Sequence, residues 1–257
     1  MSLKISNAAC PLGEKYGDLL KLEKSQFDRI LTKTCTLSPI KFPDQPLYDS
    51  KPLYSLNNFG LGNIGYREYS LYQFPEKPFT ISVTGTFKEI RQITGIPTRA
   101  DYLEFNVSCP NSTKEVLSIG DLARIKHQIP FGVKLPPYFD LRDIEKMAEK
   151  LNKMARTRKE FSYVVCCNTI PFEGVGGIGG PLLKPVSLYN IGYFRKLLPP
   201  KIEVWGCGGI REVDDLLEYE AAGASGVQIG TVAIDKGLEY TDELVQIYRN
   251  LDLKAAI

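Results

Sequence analysis

The chain has 257 residues, 43% of them hydrophobic, enough for one large core, and its 32 Lys and Arg against 30 Asp and Glu leave a net charge of +2. That balance gives no electrostatic case for binding nucleic acid or an anionic membrane. No run approaches the roughly 20 apolar residues of a membrane span, and the opening MSLKISNAACPLGEK lacks the apolar core of a secretion signal, so one domain over residues 1–257 is expected, in the cytoplasm, acting on small molecules.

Taken in chain order, the first strand-like run is KISNA (4–8), followed by RILTKTC (29–35). From Thr36 to Pro78 the rhythm breaks. This stretch is rich in Pro, Tyr and Asn, contains SLNNFGLGNIGY, and reads as a long excursion after the second strand without regular structure. Excursions of that length tend to be lids or binding loops. The strands resume with FTISVTG (79–85), YLEFNVS (102–108) and FGVKLP (131–136). Beyond Asp140, which can cap a helix start, Leu141, Ile144, Met147, Ala148, Leu151 and Met154 share one helical face. YVVCCN (163–168), EVWGCGG (203–209) and SGVQIGT (225–231) complete the strands, and a helix carrying Val213, Leu216 and Leu217 lies between the last two. Eight strands alternating with helices in a chain of this length predict an α/β fold, a parallel sheet closed into a (β/α)8 TIM barrel rather than an open doubly wound sheet.

Such a barrel carries its site at the carboxyl ends of the strands. Lys33 ends the second strand, Asn106 and the turn Ser108-Cys109-Pro110-Asn111 the fourth, Lys134 the fifth and Asn168-Thr169 the sixth. Gly208-Gly209 and Gly230-Thr231 follow the seventh and eighth. Bare backbone there lets N–H groups approach an anion, and two such turns predict a phosphorylated ligand, whereas one alone would be a tight bend. GVGGIGG (174–180) matches a dinucleotide fingerprint only loosely and reads as a flexible loop beside the site. An ammonium in a barrel mouth loses hydration, so Lys33 and Lys134 together ask for an acceptor-rich ligand; either alone could be a snorkelling surface lysine. Asn57, Asn106, Asn111 and Asn168 offer the paired donors and acceptors that suit an amide-rich planar ring such as a pyrimidine, although any one of them could be a turn residue.

The six cysteines show no CxxC spacing and have no companion histidines, which points to reduced thiols and no metal. Cys35, Cys166 and Cys167 read as small buried hydrophobes. Cys109 stands in a turn where a thiol can ionise, and both a structural and a catalytic role are open for it. His127, the one histidine, lies at a polar helix end before a strand, so imidazole-dependent hydrolases and zinc sites drop out.

The ordered set FNVSCPNS, GVKLPPYFD, GVGGIGGPLLKP, GCGGI and VQIGT, within a similarity running from Asn7 to about Leu251, resembles the class 1A dihydroorotate dehydrogenases. That resemblance implies a (β/α)8 barrel binding FMN, oxidation of dihydroorotate to orotate, and fumarate as the final acceptor. It makes Cys109 the general base and puts Lys134 beside the flavin ring. Lys33, Asn57, Gly60, Leu61, Asn106, Asn111, Asn168 and Thr169 would surround the pyrimidine. Ala8, Lys33, Thr34, Asn106 and Val165 would line the flavin, with Gly180, Cys207, Gly208, Gly209, Gly230 and Thr231 around its ribityl and phosphate. Against the family pattern, the segment between Asn111 and Lys134 is short where a mobile loop usually closes over the base. The segment between Thr169 and Gly174 lacks an extension associated with a dimer contact, which weakens the homodimer the family implies. Phe59 replaces a methionine, Cys10 a glycine and Thr169 a serine. These departures keep two alternatives open, a catalytically impaired FMN-binding or interaction protein and an NAD-linked class 1B-like enzyme.

Overall fold

The computed structural model describes residues 2–108 and 117–255, so Cys109 and Asn111 lie outside the described residues. In chain order the elements begin with β1 (Lys4–Asn7), α1 (Tyr16–Lys24), β2 (Ile30–Leu31), β3 (Leu47–Ser50), β4 (Ser55–Asn58) and α2 (Tyr66–Ser70). Next come β5 (Phe79–Val83), α3 (Phe87–Ile93), β6 (Tyr102–Asn106), α4 (Ile119–Leu122), β7 (Phe131–Lys134), α5 (Leu141–Thr157) and β8 (Phe161–Cys166). The last third holds β9 (Ile170–Phe172), β10 (Gly176–Gly179), α6 (Lys184–Leu197), β11 (Glu203–Cys207), α7 (Val213–Ala221), β12 (Gly226–Ile229) and α8 (Thr231–Ala255), which bends at Gly237.

Eight parallel strands form one sheet in the order β1-β12-β11-β8-β7-β6-β5-β2, and all eight runs expected from the sequence are there. The ring closes between β1 and β2 through a parallel bridge from Ser6 to Arg29. Side chains complete that seam. Asn7 Nδ2 donates to the Leu31 carbonyl at 2.6 Å while its Oδ1 accepts from Leu31 N–H at 2.8 Å, standing in for a ladder pair where β2 is short.

Alternation along the strands sorts the residues into two layers. On β6, Leu103 and Phe105 join the large apolar layer under the helices, with Ile81 and Val83 of β5 and Val227 and Ile229 of β12. Glu104 and Gln228 face the axis, since they hydrogen-bond across the barrel from non-adjacent strands. A separate interior cluster of Ala8, Tyr163, Val165, Trp205 and Cys207 fills the space beneath the strand ends. Asp140 caps α5 by accepting from Arg142 N–H at 2.8 Å, and Ile144, Ala148, Leu151 and Met154 are buried as their spacing predicts. On α7 the expectation needs correction at one position: Leu217 is exposed, and Tyr219 packs inward with Leu216 instead.

The region after the second strand also differs from expectation. It contains β3, β4 and α2, and β3 and β4 join β9 and β10 in a four-stranded antiparallel sheet, order β3-β4-β10-β9. GVGGIGG is therefore not a flexible loop. Gly176–Gly179 is a strand paired on both edges, Gly177 with Asn57 and Pro171. A strand built of glycine has no side chains to advertise it, and here the close approach of neighbours requires the bareness: a Cβ on Gly177 would sit 2.2 Å from Thr169 Oγ1.

Candidate active site

A cleft opens at the carboxyl ends of the barrel strands, between them and the small antiparallel sheet, with about 1090 Å³ of empty space. Its walls gather Ala8, Lys33, Thr34, Asn57, Gly60, Leu61, Asn106, Lys134, Asn168, Thr169, Gly180, Cys207, Gly208, Gly209, Gly230 and Thr231. Every site residue expected from the sequence that is described thus lies on it, with one exception. Val165 is fully buried in the interior cluster with Ala8 and Cys207, one layer below the lining.

Two amides and a hydroxyl form one fixed wall. Asn168 Nδ2 donates to Asn106 Oδ1 at 3.1 Å and to the Ser108 carbonyl at 3.1 Å, while Asn168 Oδ1 accepts from Thr169 N–H at 2.9 Å. Asn106 Nδ2 in turn donates to Thr34 Oγ1 at 3.2 Å. Asn57 arrives from β4 on the opposite sheet, which also brings Phe59, Gly60 and Leu61 over the mouth. Lys33, only 5% exposed, donates to the carbonyls of Gly62 and Gly60 and so ties β2 to that covering segment.

Lys134 is also 5% exposed, and its Nζ donates to Gln228 Oε1 at 3.0 Å and lies 3.5 Å from Cys207 Sγ. Burial opposes its charge, but Cys207 and the Glu104 carboxylate favour it, and the ammonium is held above its ordinary pKa. Cys10 lines the cleft, and burial pushes its thiol up to about 11, so it stays protonated. Burial likewise raises the Cys35, Cys166 and Cys167 thiols, in keeping with their reading as small hydrophobes.

Sequence reasoning missed Tyr48, Arg211, Gln228 and, beneath them, Glu104. Tyr48 stacks on Phe59 with centroids 5.5 Å apart and, with Ser50, donates to Asp235 of α8, pinning β3 over the cleft. Nothing in its local sequence marks it. Glu104 leaves a trace as a carboxylate inside an apolar strand, but its partnership with Gln228 of β12 shows only once the strands meet across the barrel.

The lining carries Lys33, Lys134 and Arg211 and, among the described residues, no carboxylate, so the cleft favours anions. A sequence model of the dihydroorotate dehydrogenase family matches residues 5–251. The chain belongs to the dihydroorotate dehydrogenase family. Curated family members include the dihydroorotate dehydrogenase (fumarate) of Trypanosoma cruzi, 30% identical over 96% of this chain and 91% of that one. The corresponding Trypanosoma brucei brucei protein is 32% identical over 90% and 84%. A putative dihydroorotate dehydrogenase A (fumarate) of Streptococcus pyogenes serotype M3 is 34% identical over 86% and 80%. Among solved structures, an Eimeria tenella dihydroorotate dehydrogenase in complex with ferulenol superposes with a TM-score of 0.77 at 16% identity, over 98% of this chain and 82% of that one, which bears on the fold alone.

Dihydroorotate dehydrogenases are flavin-dependent, and the cleft fits a phosphorylated flavin. Gly208 and Gly209 have φ of 132° and 70°, and a Cβ on Gly209 would stand 2.7 Å from Lys184 Cβ, so this turn stays bare backbone. Thr231 opens α8, where first-turn N–H groups lack intrahelical acceptors. No helix among the described residues is long and apolar enough to cross a membrane.

Proposed function

We propose that this dihydroorotate dehydrogenase oxidises dihydroorotate to orotate with FMN in the cleft and fumarate as the final acceptor, in the cytoplasm and with small molecules as its substrates. FMN, when bound, supplies the two-electron acceptor for the hydride that leaves C6 of the substrate. Cys109, as its thiolate, takes the proton from C5, and the electron pair of that C–H bond becomes the C5=C6 double bond of orotate. Asn57, Asn106, Asn111 and Asn168, with Lys33, Thr169 and the backbone at Gly60 and Leu61, hold the ring carbonyls, ring N–H groups and carboxylate of the pyrimidine. Lys134 keeps a positive charge where negative charge gathers during transfer. Gly180, Cys207, Gly208, Gly209, Gly230 and Thr231 receive the ribityl chain and phosphate, and Ala8, Thr34 and Val165 back the ring.

The observation that carries this reading is the meeting of Asn57, Asn106 and Asn168 with the buried Lys134 in one cationic cleft. Relatives named for fumarate support that acceptor, and fumarate resembles the orotate carboxylate in the charge and acceptors it presents. Anaerobic mixing of the purified yellow protein with dihydroorotate tests it. The flavin colour should bleach, and fumarate should restore it. Failure to bleach sinks the reading; recovery with NAD or a quinone but not fumarate changes the acceptor.

A further inference from the structure

Below the cleft floor a polar column crosses the barrel interior. Lys134 Nζ donates to Gln228 Oε1 at 3.0 Å, Gln228 Nε2 donates to Glu104 Oε2 at 2.5 Å, and Tyr163 Oη lies 3.4 Å from the same oxygen. Arg29 closes the far end, its guanidinium 3.8 Å above the Tyr102 ring and 4.9 Å from that of Trp205. Glu104 is fully buried, touches no part of the cleft, and its Oε1 finds no hydrogen-bond partner among the described residues. A carboxylate so placed in a barrel interior is costly unless something uses it.

Donor and acceptor chemistry fixes the states along the column. Lys134 can only donate as an ammonium, so the Gln228 carbonyl must face it, and the Gln228 NH2 must face Glu104. Oε2 already accepts from two donors, and although burial raises the pKa of this carboxyl, Lys134, the Gln228 amide, Arg29 and the Tyr163 hydroxyl all favour its charged form. The geometry therefore fits Glu104 as an anion.

We propose that Glu104 is a positioning residue: as a buried carboxylate it locks the Gln228 amide, and through it holds Lys134 as an ammonium with its remaining protons turned to the flavin side of the cleft. The proposal rests on the flavin-dependent reading of the same cleft. The titratable groups facing Lys134 are Cys207 on β11, Glu104 on β6, Cys10 beyond β1 and Cys167 beyond β8. Burial keeps the Cys10 and Cys167 thiols protonated, which leaves Cys207, 3.5 Å from Nζ, and then Glu104 as the groups that favour the ammonium, Glu104 being the carboxylate among them. Arg29 and Lys134 are the cations facing Glu104.

The test uses the holoenzyme and two readouts. The first is the flavin midpoint potential as a function of pH, measured by dye equilibration with a chemical reductant and no dihydroorotate. In Glu104→Gln the lysine loses its counter-charge and deprotonates within the accessible alkaline range, so reduction takes up one more proton per electron pair there and the potential falls more steeply with pH than in the parent. The second is the pH profile of turnover: above the rise set by the thiol base, kcat of Glu104→Gln falls about tenfold per pH unit while the parent holds its plateau, and KM for dihydroorotate is unchanged. Gln228→Met keeps the carboxylate but removes the relay and should give the same pattern, which also decides the matter if Glu104→Gln does not fold. A uniform loss of kcat at all pH values, or an unchanged slope of potential in both variants, overturns the proposal alone. A parent protein with no reducible flavin overturns the enzymatic reading, and this proposal with it.

Discussion

Asn168 Nδ2 donates to Asn106 Oδ1 at 3.1 Å, so an amide beyond β8 and an amide at the end of β6 fix each other's orientation before any ligand arrives. Asn106 Oδ1 also accepts at 3.3 Å from the N–H of Ser108, the residue just before Cys109 in the sequence. Replacing Asn106 by Ala removes a proposed ligand contact and frees both neighbours to rotate. Each lost hydrogen bond to a neutral partner is worth about 1 kcal/mol. The expected outcome for Asn106→Ala is a rise in KM for dihydroorotate of about tenfold or more with flavin still bound, read by steady-state kinetics and by orotate titration of the flavin spectrum. Unchanged KM and orotate affinity would remove this amide pair from the substrate wall.

Cys109→Ala should retain FMN and lose reduction by dihydroorotate at neutral pH, because no other group in the proposed constellation is a free base. In the unsubstituted enzyme the reduction rate should climb as pH rises through the thiol's own pKa, ordinarily about 8.5, since the thiolate is the reactive form. Stopped-flow absorbance under anaerobic conditions measures both. A rate independent of pH over this range argues against a thiol base.

The eight barrel strands are legible in the sequence because each is a short apolar or β-branched run bounded by turn residues, and Lys33, Asn106, Lys134 and Asn168 stand out as candidates because the fold puts them at barrel strand ends, whereas Asn57, Gly60 and Leu61 lie in the excursion. The antiparallel sheet is not. LYDS, SLNN, IPF and GGIG lie over a cleft rather than in a core, so no hydrophobic alternation marks them, and their pairing comes from partners far along the chain. Glu104 and Gln228 escape for a related reason: their roles come from meeting across the barrel axis, a relationship between the fourth and eighth barrel strands that neither run announces alone.

Gly209 has a φ of 70°, and an added Cβ would stand 2.7 Å from Lys184 Cβ and 3.0 Å from the Gly180 carbonyl oxygen. Lys184 cannot simply swing away, since its Nζ bridges Asp215 at 2.5 Å and Glu218 at 2.8 Å. Gly209→Ala therefore combines backbone strain of about 1–3 kcal/mol with a clash at the turn proposed to meet the flavin phosphate. The variant should purify with less flavin and a lower Tm, while added FMN raises its Tm less than that of the parent. A fully loaded Gly209→Ala protein with the parental Tm would refute this account of the turn.

His127 provides a stability prediction away from the cleft. Its ring packs 5.0 Å from Phe131 and 5.8 Å from Phe105. Burial, and then the nearby Arg158 guanidinium, lower its pKa to about 4, against about 6.5 in an unfolded chain. The unfolded form thus takes up this proton first as pH falls, so stability declines from about pH 6.5 and levels off near pH 4. The loss is about 2 kcal/mol once the ring's partial exposure is allowed for. His127→Phe removes the titration while keeping an aromatic ring against Phe105 and Phe131. Urea unfolding at pH 7 and at pH 4.5 should show the parent losing more stability than His127→Phe between the two, the carboxylates being common to both. Equal losses in the two proteins would mean that the ring is protonated in the folded state as readily as in the unfolded one, and that its packing against the two phenylalanines does not exclude the charge.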